Sequence, residues 1–156
     1  MVRTMKGAMA VDNTKASVEA LRLENERLRS DLKYFEKQYK RLEAFLSSAP
    51  FVVYIKNEQR EYSYFNPVRQ RQLDLEADEI LWHTDLDLVG NLWGILAHEQ
   101  DGKVLASMTP VESLEAAPGA DDEHRNWLVV RFPFAGPDGE PCIGAVGLDL
   151  SNSRTS

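Results

Sequence analysis

Three histidines, one cysteine and a crowded set of carboxylates are the side chains of this 156-residue sequence best suited to chemistry. His83 and His124 stand in turn-like sequence and His98 in a helical stretch, and no two of them have the spacing of a transition-metal pair. Asp74, Glu76, Asp78, Glu79, Asp85 and Asp87 are dense enough to attract calcium, but their spacing matches no cation loop. A solvated acidic face is the expectation there. Cys142 is the single cysteine, which excludes an internal disulfide and a cysteine-clustered zinc site. Its charged neighbour Glu140 would raise the thiol pKa, so a buried strand thiol is expected rather than a redox sensor. No Gly-x-Ser-x-Gly elbow, phosphate loop, or kinase or cyclase signature occurs. Neither catalysis nor a metal site is expected within these residues.

What must be positioned, then, is packing. Val18, Leu21, Asn25, Leu28, Leu32, Phe35, Tyr39, Leu42 and Leu46 recur in alternating three- and four-residue steps. On a helix this makes one narrow stripe, the seam of a left-handed coiled coil, which needs a partner helix to cover it. Asn25 in the seam is costly to bury alone but can pair with its symmetry mate, favouring two parallel strands in register. A parallel homodimer is therefore expected. The flanking charges support it only weakly, since Glu24 meets Arg29 across the seam while Asp31 faces Glu36. The helix is expected to start near Asn13 or Thr14 and to end at Ser47-Ser48-Ala49-Pro50. Residues 1–14 then form a disordered tail, 15–48 the helix, 49–151 a domain and 152–156 a second tail.

Composition and charge narrow the class. Hydrophobic residues make up 43% and charged residues 28%, ordinary soluble values, and no window has the ~20 apolar residues of a membrane span. The first residues lack the apolar core of a signal peptide, and a cytoplasmic setting fits. From Ser47 on, eight basic and eighteen acidic side chains leave a net charge of −10. A phosphate backbone would repel that domain, so direct nucleic-acid binding by it is not expected.

After Pro50 the period changes. Phe51–Ile55 and Glu61–Phe65 read as a hairpin, with Lys56-Asn57-Glu58-Gln59 as its turn. Asn66-Pro67 opens a short helix, Val68–Leu73. Residues 75–105 read as several short helices, because Gly90, Gly94 and Gly102 weaken any long one. Val111–Ala117, Trp127–Phe134 and Cys142–Leu150 read as strands, separated by the polar loop 118–123 and the turn Gly136-Pro137-Asp138-Gly139. The aromatic set Tyr54, Tyr64, Trp82, Trp93, Trp127, Phe132 and Phe134 is first of all core.

Two strands, short helices and three antiparallel strands within about a hundred residues resemble a PAS domain. The motifs that carry the resemblance are Pro50–Ile55 followed by Tyr64-Phe65-Asn66, then His83–Gly90, Asp101–Leu105, Trp127–Phe134, Gly136–Gly139 and Gly144–Leu150. It covers roughly Leu46 to Ser151. The resemblance implies an α+β fold, an antiparallel sheet with short helices on one face. It also implies a possible ligand pocket between them, at Tyr54, Tyr64, Trp93, Leu96, Val130, Phe132, Ala145 and Gly147. The sheet face carrying Leu128, Val130, Phe132, Ile143, Ala145 and Gly147 is expected to pack on Leu92–Leu105. The flavin-binding branch is not matched, because the helical region holds no cysteine and Gly147 stands where its glutamine would be. His98 is the one candidate ligand if the domain held haem. The expected function is a sensory and dimerisation module that relays ligand or partner binding to the coiled coil. Its output would be a downstream signalling protein or a missing part of a longer chain. The alternatives are a ligand-free interaction scaffold and a cofactor-binding sensor.

Overall fold

The computed structural model describes residues 2–90, 92–118 and 124–151. The chain divides into two compact units, Met1–Phe45 and Leu46–Ser156. The first is the greater part of a single helix, α1 (Val2–Ser48). It starts well before Asn13, so residues 2–14 are helical and not a tail. Alanine, methionine and lysine favour that conformation, and proline is absent from the stretch. The expected tail at 152–156 and the loop residues 119–123 lie outside the described residues.

On α1 the seam side chains Val18, Leu21, Leu28, Leu32, Phe35, Tyr39 and Leu42 are all more than half exposed. Asn25 is exposed with them. The helix ends where expected: the Ala49 amide donates back to the Leu46 carbonyl (3.3 Å) and Pro50 prevents continuation.

The second unit is a five-stranded antiparallel sheet of β1 (Val52–Lys56), β2 (Tyr62–Phe65), β3 (Val111–Pro118), β4 (His124–Ala135) and β5 (Pro141–Asp149). The spatial order is β2-β1-β5-β4-β3, which sets the first and last strands side by side in the middle. Four helices fill the connection between β2 and β3: α2 (Pro67–Leu73), α3 (Ala77–Ile80), α4 (Asp85–Leu88) and α5 (Leu92–Ser107). Residues from α3, α2 and α5 join Val52, Tyr54, Tyr62, Trp127, Val129 and Ala145 of the sheet in one apolar core. This is the expected α+β architecture.

Asn66 shows how local sequence places the helices. Its carboxamide oxygen accepts from the amides of Arg69 (3.2 Å) and Val53 (3.0 Å), capping α2 and fastening it to β1. Its amide nitrogen donates to the carbonyls of Phe51 (2.7 Å) and Leu46 (3.2 Å). A single buried side chain thus ties the entry of the domain, β1 and α2 together. Thr84 and Asp87 close α4 with a reciprocal capping box.

Two expectations are corrected. The helical region ends in one sixteen-residue helix, α5, which runs through Gly94 and Gly102. Gly94 is there for close approach: a Cβ would sit 2.0 Å from the Val89 carbonyl oxygen and 2.8 Å from that of Asp85. The faces of β4 are also the reverse of those expected. Ile143, Ala145 and Gly147 do face the helices, but their partners are Pro133, Arg131 and Val129. Leu128, Val130 and Phe132 pair with Leu148, Val146 and Gly144 on the opposite face. Phe132 is 38% exposed, and its ring covers Gly144, where a Cβ would meet it at 2.6 Å. The strand is apolar at almost every position, so alternation alone left its register open.

Candidate functional site

Three cations and three carboxylates lie against the helix-facing side of the sheet, all buried except the half-buried Glu115. Lys56, the last residue of β1, has no solvent exposure, and its ammonium donates to Asp85 and to Asp101. Arg131 of β4 donates from Nε to Asp101 Oδ1 (2.9 Å) and from its terminal nitrogens to Glu115 and Ser113 of β3. Arg69 of α2 reaches Asp85 Oδ1 (3.2 Å), and the Tyr62 hydroxyl donates to the same oxygen (2.6 Å). Lys56, Arg69 and Arg131 balance Asp85, Asp101 and Glu115. Isolated charges at this depth would be prohibitive; paired in a chain, they hold β1, β3, β4, α2, α4 and α5 in one arrangement.

The electrostatics follow from the pairing. Burial by itself would push the Asp85 carboxyl up, but Lys56 and Arg69 beside it pull it down to about 2. Burial would likewise depress the Lys56 ammonium, yet Asp85, Tyr62 and Asp101 hold it well above the ordinary lysine range. The Tyr62 phenol is raised, chiefly by burial, with Arg69 opposing.

Beside this network lies a small cavity. Val52, Tyr54, Trp127, Val129 and Gly147 form its apolar walls from the sheet and Trp93 closes it from α5. Arg69, Gln72, Glu115 and Arg131 supply the polar ones. Water-sized space inside amounts to about 10 Å³, room for about one molecule; all free space between the walls, open mouth included, is about 290 Å³. Arg69 lies over three rings at once, with its guanidinium carbon 5.1 Å from the Tyr54 centroid, 5.3 Å from Tyr62 and 5.1 Å from Trp93. The indole N–H of Trp127, a residue only 6% exposed, meets no acceptor among the described residues.

Of the residues assigned to a pocket from sequence, Tyr54, Trp93 and Gly147 line this cavity. Ala145 is buried in the adjoining core. Val130 and Phe132 lie on the far face of the sheet, as does Tyr64, which pairs with Ile55 rather than facing the helices. Leu96 is largely exposed on α5. His98 is not among the cavity residues, and Arg60 donates to its backbone carbonyl (3.3 Å). Cys142 is buried, and desolvation and then Glu140 raise its thiol pKa. Among the six clustered carboxylates, Asp85 departs from the solvated reading entirely, being buried and doubly ion-paired. No group of three potential metal-ligating side chains stands together among the described residues.

The charge network is what the sequence reading missed. Lys56 reads as a turn residue, and Arg131 has no assigned role in the sequence reading. Strand alternation held the signal: Lys56 is two residues beyond Tyr54, and Arg131 two beyond Val129, so each shares its neighbour's buried face.

A model of the family described as the PAS fold matches residues 46–152. No curated protein matches the sequence significantly. Among solved structures, VqmA of Vibrio cholerae in a complex with ligand and DNA is 18% identical with a TM-score of 0.64. The match covers 74% of this chain and 52% of that one, so this chain spans about half the length of VqmA. The PAS domain of Bordetella pertussis BvgS is 16% identical with a TM-score of 0.57, over 75% of this chain and 89% of that one. The LOV protein of Rhodobacter sphaeroides is 18% identical with a TM-score of 0.58, over 77% and 71%. These likenesses bear on the fold. No helix among the described residues is long and apolar enough to cross a membrane.

Proposed function

The chain belongs to the PAS-fold family through residues 46–152, and from that premise we propose that it is a sensory module whose signal is relayed through α1. In this reading a small molecule enters between the sheet and α2 and α5, and disturbs the charge network joining them. The shift reaches β1 and the Asn66 bonds to Phe51 and Leu46, at the domain's entry. Two copies of α1 pair in parallel along the Val18–Leu46 seam, and the change arrives there as a rotation or splay. The bulky Phe35 and Tyr39 and the polar Asn25 make that seam adaptable. The output acts elsewhere, on another protein or a further domain, and not by catalysis within these residues.

The observation that carries this reading is the cavity itself. It is walled by three aromatic residues and two arginines, and abuts the ion network that connects most elements of the domain. The rival reading, a scaffold with no ligand, draws on the cavity's size, room for about one water. Native mass spectrometry of the purified 156-residue chain separates the two. The sensory reading expects a dimer carrying extra mass that denaturation releases, and a melting temperature that falls when that mass is removed. A bare dimer, with a melt unmoved by a small-molecule extract of the producing cells, sinks it in favour of the scaffold.

A further inference from the structure

We infer that the cavity selects a compact, flat, uncharged molecule presenting hydrogen-bond acceptors, such as a single ring bearing a carbonyl, over a carboxylate or an amine of the same shape. The inference rests on the sensory reading and narrows its ligand. Three observations converge on it. The first is shape. Trp127 offers a ring surface, Tyr54 and Trp93 offer the ring edges and faces that Arg69 does not cover, and the small Gly147 and Ala117 leave space beside them.

The second is charge. Lys56, Arg69 and Arg131 are each bonded to one or more of Asp85, Asp101 and Glu115, three charges against three. A ligand carrying either sign would add an uncompensated charge to a desolvated site whose own charges are already matched. A neutral one leaves the balance intact.

The third is the surplus of donors. The Trp127 indole N–H lacks an acceptor among the described residues although the residue is more than nine-tenths buried. Arg69 commits four of its five N–H groups, to Tyr62, Gln72 and Asp85. Arg131 commits four of five, to Asp101, Ser113 and Glu115. The acceptors of this wall are already engaged, though not exhausted: Glu115 accepts from Arg131 and Ser113, and Gln72 Oε1 accepts from Arg69 (2.6 Å). A molecule that completes this wall therefore brings acceptors. Gln72, half-buried and held by that one bond, is the wall element that turns outward to admit it.

Acetophenone, benzoate and benzylamine share one ring and nearly one size, and differ as neutral acceptor, anion and cation. Each is titrated, to about 20 mM, into the ¹⁵N-labelled 156-residue chain, a range suited to fragments of this size. The readout is the indole N–H resonance of Trp127, identified by its loss in Trp127→Phe. Acetophenone is expected to shift that resonance saturably, with a Kd at least about fivefold below those of the other two. Gln72→Ala, which widens the mouth and spares the donors, is expected to tighten acetophenone binding and provides a second route if Trp127→Phe does not fold. Equal or tighter binding of benzoate or benzylamine overturns the ligand class and leaves the pocket standing. No saturable shift with any probe, in either wild type or Gln72→Ala, overturns the ligand class, while the sensory reading stands or falls on the native mass measurement.

Discussion

The two units of this protein invert each other's surface chemistry. The first unit is a helix from Val2 on, whose leucines and aromatic residues face solvent, whereas the second is a domain that buries five charged side chains and half-buries a sixth, Glu115. A narrow apolar stripe left exposed on one helix is the reason a partner helix is proposed for it. The buried charges are complete: each has its counter-ion within the same unit, and several share a carboxylate or an ammonium. One region is defined by what it lacks and the other by what it has already matched. A perturbation should therefore read differently in each, as a change of association in α1 and as a change of folding stability in the domain.

The largest expected effect comes from removing one member of the network. Lys56→Met leaves Asp85 and Asp101 without their shared ammonium, and should lower domain stability by about 3–5 kcal/mol. Urea unfolding monitored by tryptophan fluorescence checks this; a loss below about 1 kcal/mol would mean that water or the remaining arginines already satisfy the two carboxylates. Helix pairing, measured by sedimentation, should be unaffected in the folded variant.

Acid should erode the same network. Asp85 has a folded pKa of about 2, below the ordinary 3.8, so its contribution is present above about pH 4 and is lost as pH falls through 2. That amounts to ~2–3 kcal/mol, at roughly 1.4 kcal/mol per pKa unit. Unfolding midpoints at pH 6 and pH 3 should fall more steeply for the wild type than for Asp85→Asn. Parallel slopes would remove Asp85 as the cause.

Phe132 tests the corrected face of β4. Covering Gly144 while 38% exposed, it should lose only about 1–2 kcal/mol on change to alanine, against about 3–5 for a fully buried phenylalanine. A loss in the higher range would place it in a buried contact.

These corrections mark where sequence was legible. Element order, the Asn66 cap and the end of α1 at Pro50 follow from local signals: turn residues, a capping side chain and a ring that cannot continue a helix. The sites failed where two signals conflicted. In Trp127–Phe134 both parities are apolar apart from Arg131 and Pro133, so alternation points either way. The pairing Arg131–Asp101 spans thirty residues and depends on tertiary packing. Lys56 and Asp85 pose the same difficulty: each is an ordinary surface residue until its partner is placed. Tyr54, Trp93 and Gly147 do line the cavity, because aromatic and small residues beside a sheet read alike in sequence and in space.

The smallest effect is expected in the seam, where Asn25→Leu should tighten association slightly while allowing species other than dimers, seen by light scattering. An unchanged single dimer species would mean that Asn25 does not specify register.

The central claim, that α1 is completed by a parallel copy of itself, is tested most directly by one distance. A spin label at Arg22→Cys, in a Cys142→Ala background, reports its separation from its mate by pulsed electron resonance. A parallel pair in register, with helix axes 8–10 Å apart and linkers added, predicts about 15–25 Å. An antiparallel pair centred on Leu32 separates the labels by ~30 Å or more along the axis, at ~1.5 Å per residue. The account predicts the short distance; the long one, or the absence of any dipolar coupling in a monomer, contradicts it.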